Sequence, residues 1–135
     1  MDNYGYGYGV WLVLDQNYSG RHILHVTIQC NMSKDDSYKL YIDICKKHDV
    51  FNISVLSEGI IFPDNMFKSD DILSGWGYNV ELNECVWKSI KEMANKYEGS
   101  FSETPHLTIE YNFNESSVQN TNLSTVECTL HVADI

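Results

Sequence analysis

Two four-residue stretches, His25-Val26-Thr27-Ile28 and His106-Leu107-Thr108-Ile109, share one pattern of His, apolar, Thr, apolar. Successive side chains of an extended strand point to opposite faces. Each stretch therefore predicts a strand that sends His and Thr to one side and its aliphatic residues into a core. A fold that brings the two strands together surrounds one site with two imidazoles and two hydroxyls, backed by aliphatic packing. The two stretches stand near opposite ends of a 135-residue chain, so satisfying both at once ties most of the sequence into a single arrangement.

Such a site suits a phosphate ester. Hydrolysis of a phosphodiester needs a base to take a proton from water and an acid to protonate the departing ribose oxygen. Imidazole, with an ordinary pKa near ~6.5, serves in either role at neutral pH. Hydroxyls beside the rings, Thr27 and Thr108, supply hydrogen bonds to the non-bridging oxygens, where negative charge must be held. The ordinary alternative is a half-buried His in each strand, satisfied by a backbone carbonyl, with matching Thr residues by coincidence.

The duplicated motif resembles the signature of the two-histidine (2H) phosphoesterase superfamily, a pair of His-x-Ser/Thr-x motifs about one structural lobe apart. Further residues are similar to its cyclic phosphodiesterase branch: the aromatic-rich strand Tyr8-Gly9-Val10-Trp11 and the Tyr shortly after the second motif, Tyr111. The resemblance implies an α+β fold, a single bilobal domain over residues 1–135. Its two pseudo-symmetric halves would each hold antiparallel strands and one main helix, with the site in the groove between them. It implies His25 and His106 as the catalytic pair, Thr27 and Thr108 as phosphate donors, and Trp11 and Tyr111 as substrate contacts. Hydrolysis would need no cofactor and no metal.

Composition narrows the partners. A net charge of −10 with only nine Lys and Arg residues argues against binding along a nucleic-acid backbone, which takes clustered cations to displace counterions. The expected substrate is a small nucleotide, and the chain is expected to be a monomer. Four cysteines, Cys30, Cys45, Cys85 and Cys128, are widely spaced with no C-x-x-C pair and read as small buried thiols in a reducing compartment. No apolar run approaches the ~20 residues of a membrane span, and no signal-like N-terminus is present, so no membrane partner and a cytoplasmic location are expected. Small size, acidity and high Asn and Tyr usage suit a viral or parasite gene, in which case the location is the host cytoplasm.

Along the chain, Val10-Trp11-Leu12-Val13-Leu14 predicts a central strand. The first motif strand, residues 25–30, presents His25, Thr27 and Gln29 on its polar face, and His22 on the other. Ser33 with Asp36 predicts a helix start, with Tyr38, Tyr41, Ile42 and Cys45 as its buried stripe and His48 as its cap. Residues 51–62 predict strand interrupted at Glu58-Gly59. Ser74-Gly75-Trp76-Gly77 reads as part of a mobile connection, with Trp76 either a lid residue that stacks on a base or an anchor of its own loop, and residues 79–82 as a strand. Asn83 caps a second helix whose Val86, Trp87, Ile90, Met93, Ala94 and Tyr97 repeat at helical period, ended by Gly99. The second motif strand, residues 106–113, puts Glu110 on the His106 face and Tyr111 on the other unless the strand bulges. The last strand, residues 126–132, alternates apolar and polar residues, leaving His131 exposed.

Candidate substrates are ribonucleoside 2′,3′-cyclic phosphates, ADP-ribose 1″,2″-cyclic phosphate, 2′,5′-linked oligoadenylates and cyclic di- or oligonucleotides. The last two would make the protein an antagonist of nucleotide immune signalling. The alternative function is a non-catalytic nucleotide-binding or protein-interaction module on the same fold, supported by the lack of basic residues beside either motif.

Overall fold

The computed structural model describes residues 7–15, 24–62, 75–111, 118 and 125–134. The expectations for His22, for Ser74 and for residues 112–113 of the second motif strand lie outside these residues. Elements run in the order β1 (Tyr8–Leu14), β2 (His25–Met32), α1 (Lys34–Lys47), β3 (Phe51–Val55), β4 (Ile60–Phe62), β5 (Gly75–Leu82), α2 (Glu84–Ala94), β6 (Ser100–Phe101), β7 (His106–Tyr111) and β8 (Thr125–Asp134). The described strands form one sheet in the order β1-β8-β3-β5-β7-β2-β6, with β4 on β5. A further antiparallel pairing of β1 with β2 closes it into a barrel. This is the mixed helix-and-antiparallel-sheet class expected of the sequence.

Alternation decides which face of each strand is buried. Val10, Leu12 and Leu14 on β1 oppose Val132, Leu130 and Cys128 on β8, and Phe51 and Ile53 on β3 continue the row against Cys128 and Val126. All but the half-buried Val132 join Val26, Ile28 and Leu107 in one core with Leu40 and Ile44 of α1 and Ile90, Met93 and Ala94 of α2. Each fully buried Leu or Ile side chain contributes about 1.5–3 kcal/mol. The opposite face of the motif strands, turned from this core, is the one that holds the polar motif residues.

The helix starts fall where the capping residues stand. Ser33 accepts from the backbone N–H of Asp36, and Asn83 from those of Cys85 and Val86, satisfying donors that have no partner within the helix. His48 closes α1 through its backbone N–H to Ile44. The second helix ends at a cap on Asn95, before Gly99. The buried stripe of α1 differs from the expected one: Ser37, Leu40 and Ile44 are buried, whereas Tyr38, Ile42 and Cys45 are exposed and Tyr41 is half-buried. The stripe lies about 100° around the helix because the small Ser37 permits close approach. Its hydroxyl is satisfied locally by donating to the Lys34 carbonyl at 2.7 Å. Tyr97 ties the end of α2 to α1 by donating to Asp43 at 2.6 Å, a bond that pushes its pKa up to about 12.

Two other expectations are corrected. Cys45 and Cys85 are exposed and Cys30 half-buried, so only Cys128 is a buried thiol; all four are free. Burial raises the Cys128 pKa to about 12, which makes it an inert thiol. The sequence Gly75-Trp76-Gly77 opens strand β5 rather than a mobile connection. Among the described residues no helix is long and apolar enough to cross a membrane.

Candidate functional site

The two motif strands are neighbours. β2 and β7 pair antiparallel at Val26 opposite Leu107, both buried in the core. One step to either side, this register sets His25 across from Thr108 and Thr27 across from His106, all four on the face turned from Val26 and Leu107. Directly opposed residues have Cβ atoms about 4.5–5.5 Å apart and diagonal ones about 7–8 Å. The two imidazoles therefore stand on a diagonal, each flanked by the other motif's Thr. Thr108 is buried, while His25, Thr27 and His106 are half-buried.

Aromatic rings cover both histidines. Trp11 lies across from Thr27 on β1, and its indole stacks on His25 with centroids 3.6 Å apart and planes 12° from parallel. Phe62 on β4 meets the His106 ring at 4.7 Å and 51°. β5 runs between β4 and β7, and its residues opposite Phe62 and Thr108 are Gly75 and Gly77. Having no side chains, they leave the space over which Phe62 reaches His106. At Gly77 nothing larger fits, because a Cβ there would stand 1.8 Å from the Leu107 carbonyl oxygen.

A common irregularity follows each motif. Against β1, Thr27 pairs with Trp11 but Gln29 with the next residue, Val10; against β5, Thr108 pairs with Gly77 and Glu110 with Trp76. Ile28 and Ile109, the fourth residues of the two motifs, are thus the extra residues of two β-bulges, which offset the alternation beyond them. This corrects the expected polar face of β2: Gln29 is buried on the core side, its amide donating to the Ala94 and Tyr97 carbonyls at 3.3 and 3.4 Å. The Ala94 carbonyl also accepts from the Tyr97 backbone N–H at 3.1 Å, so the Gln29 amide ties β2 to the turn that follows α2. Glu110 is exposed, and Tyr111 lies opposite Gly75, its side chain outside the described residues.

Trp76 does not act as a lid. Its ring is buried in the core, edge-on to Tyr78 at 5.7 Å, and so leaves the candidate site. The indole N–H groups of Trp11 and Trp76 are both buried without an acceptor.

Electrostatics distinguish one imidazole. Burial lowers the His106 pKa below its ordinary value of 6.5, partly opposed by the Thr104 carbonyl, which lies 3.4 Å from Nδ1. A carbonyl only accepts, so this contact holds the proton on Nδ1 and leaves the Nε2 lone pair free of that proton. His48 takes no part; its Nε2 pairs with Ser89 at 3.0 Å, linking the two helices.

Every described lysine lies on α1, on α2 or in the turn after α2, so on the face holding the motifs the described groups able to carry positive charge are histidines. No group of three or more His, Cys, Asp or Glu among the described residues converges to hold a metal ion. An open depression beside α2, lined by Leu82, Trp87, Lys88, Lys91, Glu103 and Pro105 among others, contains none of the four motif side chains.

Phe62, Gly77 and Asn79, which lies opposite His106, border the site but carry no motif of their own. The Gly-Trp-Gly sequence was the available signal, since glycines flanking a buried aromatic also occur where a strand passes close to its neighbour. No protein-family model matches this chain, and no curated protein matches it.

Proposed function

We propose that the His25, Thr27, His106 and Thr108 face is a metal-independent phosphodiesterase site for small cyclic or 2′,5′-linked nucleotides. The observation that carries the reading is the pairing of Val26 with Leu107, from which the four side chains fall on one face. The matching bulge after each motif supports two related halves meeting at a groove, the arrangement implied by the resemblance to the 2H phosphoesterases.

In the hydrolytic direction His106, neutral and with its Nε2 lone pair available, removes a proton from water as the oxygen attacks phosphorus. His25, protonated at the start, gives its proton to the ribose oxygen as the bond to phosphorus breaks. The protein ends with the two protonation states exchanged, and solvent restores them. Thr27 and Thr108 donate to the non-bridging oxygens. A face-on indole favours a cationic ring by its π-electron density, which supports the acid role for His25.

The test is hydrolysis of a panel of nucleoside 2′,3′-cyclic phosphates and 2′,5′-linked and cyclic dinucleotides in excess chelator. His25→Ala and His106→Ala should each lower kcat by about 10²–10⁴-fold with the fold retained. Activity that requires added metal, or that survives both substitutions, would overturn the reading.

One observation favours a second reading, a non-catalytic nucleotide-binding module. With the described lysines confined to the helices and the turn after α2, the dianionic character of a phosphoryl transition state is met only by imidazoles and neutral donors. Binding of a nucleotide without product from any member of the panel would decide for it.

A further inference from the structure

The motif face does not stop at β2. Register carries it across β1 to β8: Thr27 lies opposite Trp11, and Trp11 opposite His131. The next row on this face, two residues along, runs His25, Val13, Thr129. Directly opposed residues of antiparallel strands share a face, so His106, Thr27, Trp11 and His131 form one continuous line across four strands.

The two rows differ in charge at their β8 end. Thr129 donates to the Asp15 carboxylate at 2.6 Å, and Glu127, two residues further along the same face of β8, is exposed. An anion is repelled there. His131 is exposed at the end of the other row, and with the described lysines on the helices and the turn behind α2, it is, among the described residues, the group on this face outside the motif pair able to meet a second negative charge. At about 4.8 Å per strand it stands roughly 10 Å from Thr27, within reach of one nucleotide unit.

We infer that Trp11 and His131 form a second subsite, which takes the phosphate adjoining the scissile one in a 2′,5′-linked or cyclic oligonucleotide. The inference rests on the proposed function for the position of the scissile phosphate, and it narrows the substrate to molecules with at least two phosphates. A nucleoside 2′,3′-cyclic phosphate ends before reaching His131.

The experiment compares a 5′-phosphorylated 2′,5′-diadenylate with adenosine 2′,3′-cyclic phosphate at pH 6. His131→Ala should raise KM for the diadenylate about tenfold, the value of one charge-assisted hydrogen bond, with kcat unchanged. It should leave the nucleoside cyclic phosphate unaffected, and His131→Lys should restore the diadenylate KM. An unchanged KM for the diadenylate, or an equal rise for both substrates, would overturn the subsite. If the wild-type protein hydrolyses neither, the proposed function fails by itself, and the subsite is then judged by equilibrium binding of a 5′-phosphorylated, phosphorothioate-linked 2′,5′-diadenylate. Weaker binding by His131→Ala supports it, and equal binding refutes it.

Discussion

His25 lies face-on against Trp11 at 3.6 Å, whereas His106 is tilted against Phe62 at 4.7 Å with its Nδ1 turned to the Thr104 carbonyl. The same four-residue motif thus occupies two unlike environments. Beside the first motif, β1 presents an indole opposite Thr27; beside the second, β5 presents Gly77 opposite Thr108, and Thr108 is buried where Thr27 is half-buried. An indole face attracts a cation. A desolvated pocket of ring edges and backbone favours the neutral imidazole. The difference between neighbours, more than the motif, makes the two imidazoles unlike, and the proposed donor and acceptor roles rest on it.

The largest expected effect breaks this comparison at the leaving group. With a ribose leaving group, both His→Ala variants should lose about 10²–10⁴-fold in kcat. With a p-nitrophenyl phosphodiester, whose leaving group needs no proton, His25→Ala should recover most of its activity and His106→Ala should not. Recovery by the second variant alone would reverse the two roles. Next in size is Gly77→Ala, where the added methyl meets the Leu107 carbonyl. It should cost about 3 kcal/mol in urea unfolding, as overpacking does, whereas a β-strand glycine without that close approach would be stabilised by alanine. Trp11→Leu keeps apolar bulk but removes the π-face from His25, and should lower kcat by about tenfold on a ribose leaving group. On the p-nitrophenyl ester its effect should vanish.

What the residues revealed in advance follows from how local each signal is. Ser33 with Asp36 and Asn83 before an apolar period mark helix starts because a cap is a contact within three residues. The motif strands and the alternation of β8 were legible for the same reason. Gln29 was not, since its turn into the core is set by a bulge against β1, a strand that pairs with it only in the folded barrel. Trp76 misled because two glycines suggest a loop, and their use as thin places between β4 and β7 needs both neighbours to be known. The α1 stripe was misplaced by one position because Ser37 is polar by composition but small by shape, and packing chose size. The difference between the two histidines was unreadable from two identical motifs; Phe62, Thr104 and Trp11, which tell them apart, lie in other segments of the chain.

The smallest expected effect is on stability. Burial holds the His106 pKa in the folded protein below the 6.5 of an exposed imidazole. Between those two values the unfolded chain binds more protons than the folded one, so the free energy of unfolding rises with pH across that window. The stability associated with a neutral His106 is complete above pH 6.5 and is lost as pH falls through the window toward the folded pKa. Urea titrations of the wild type and of His106→Gln, at pH values from 5 to 7.5, measure this directly. The wild type should gain stability from the acidic end of the series to the neutral end by a margin that His106→Gln lacks, since an amide of similar size does not titrate. The same substitution at position 25 provides the contrast, because it should leave the His106 component of the slope in place. Equal slopes for the wild type and His106→Gln would mean that the second motif is no drier than water. The proposed separation of roles between the two histidines would then lose the desolvation on which it rests.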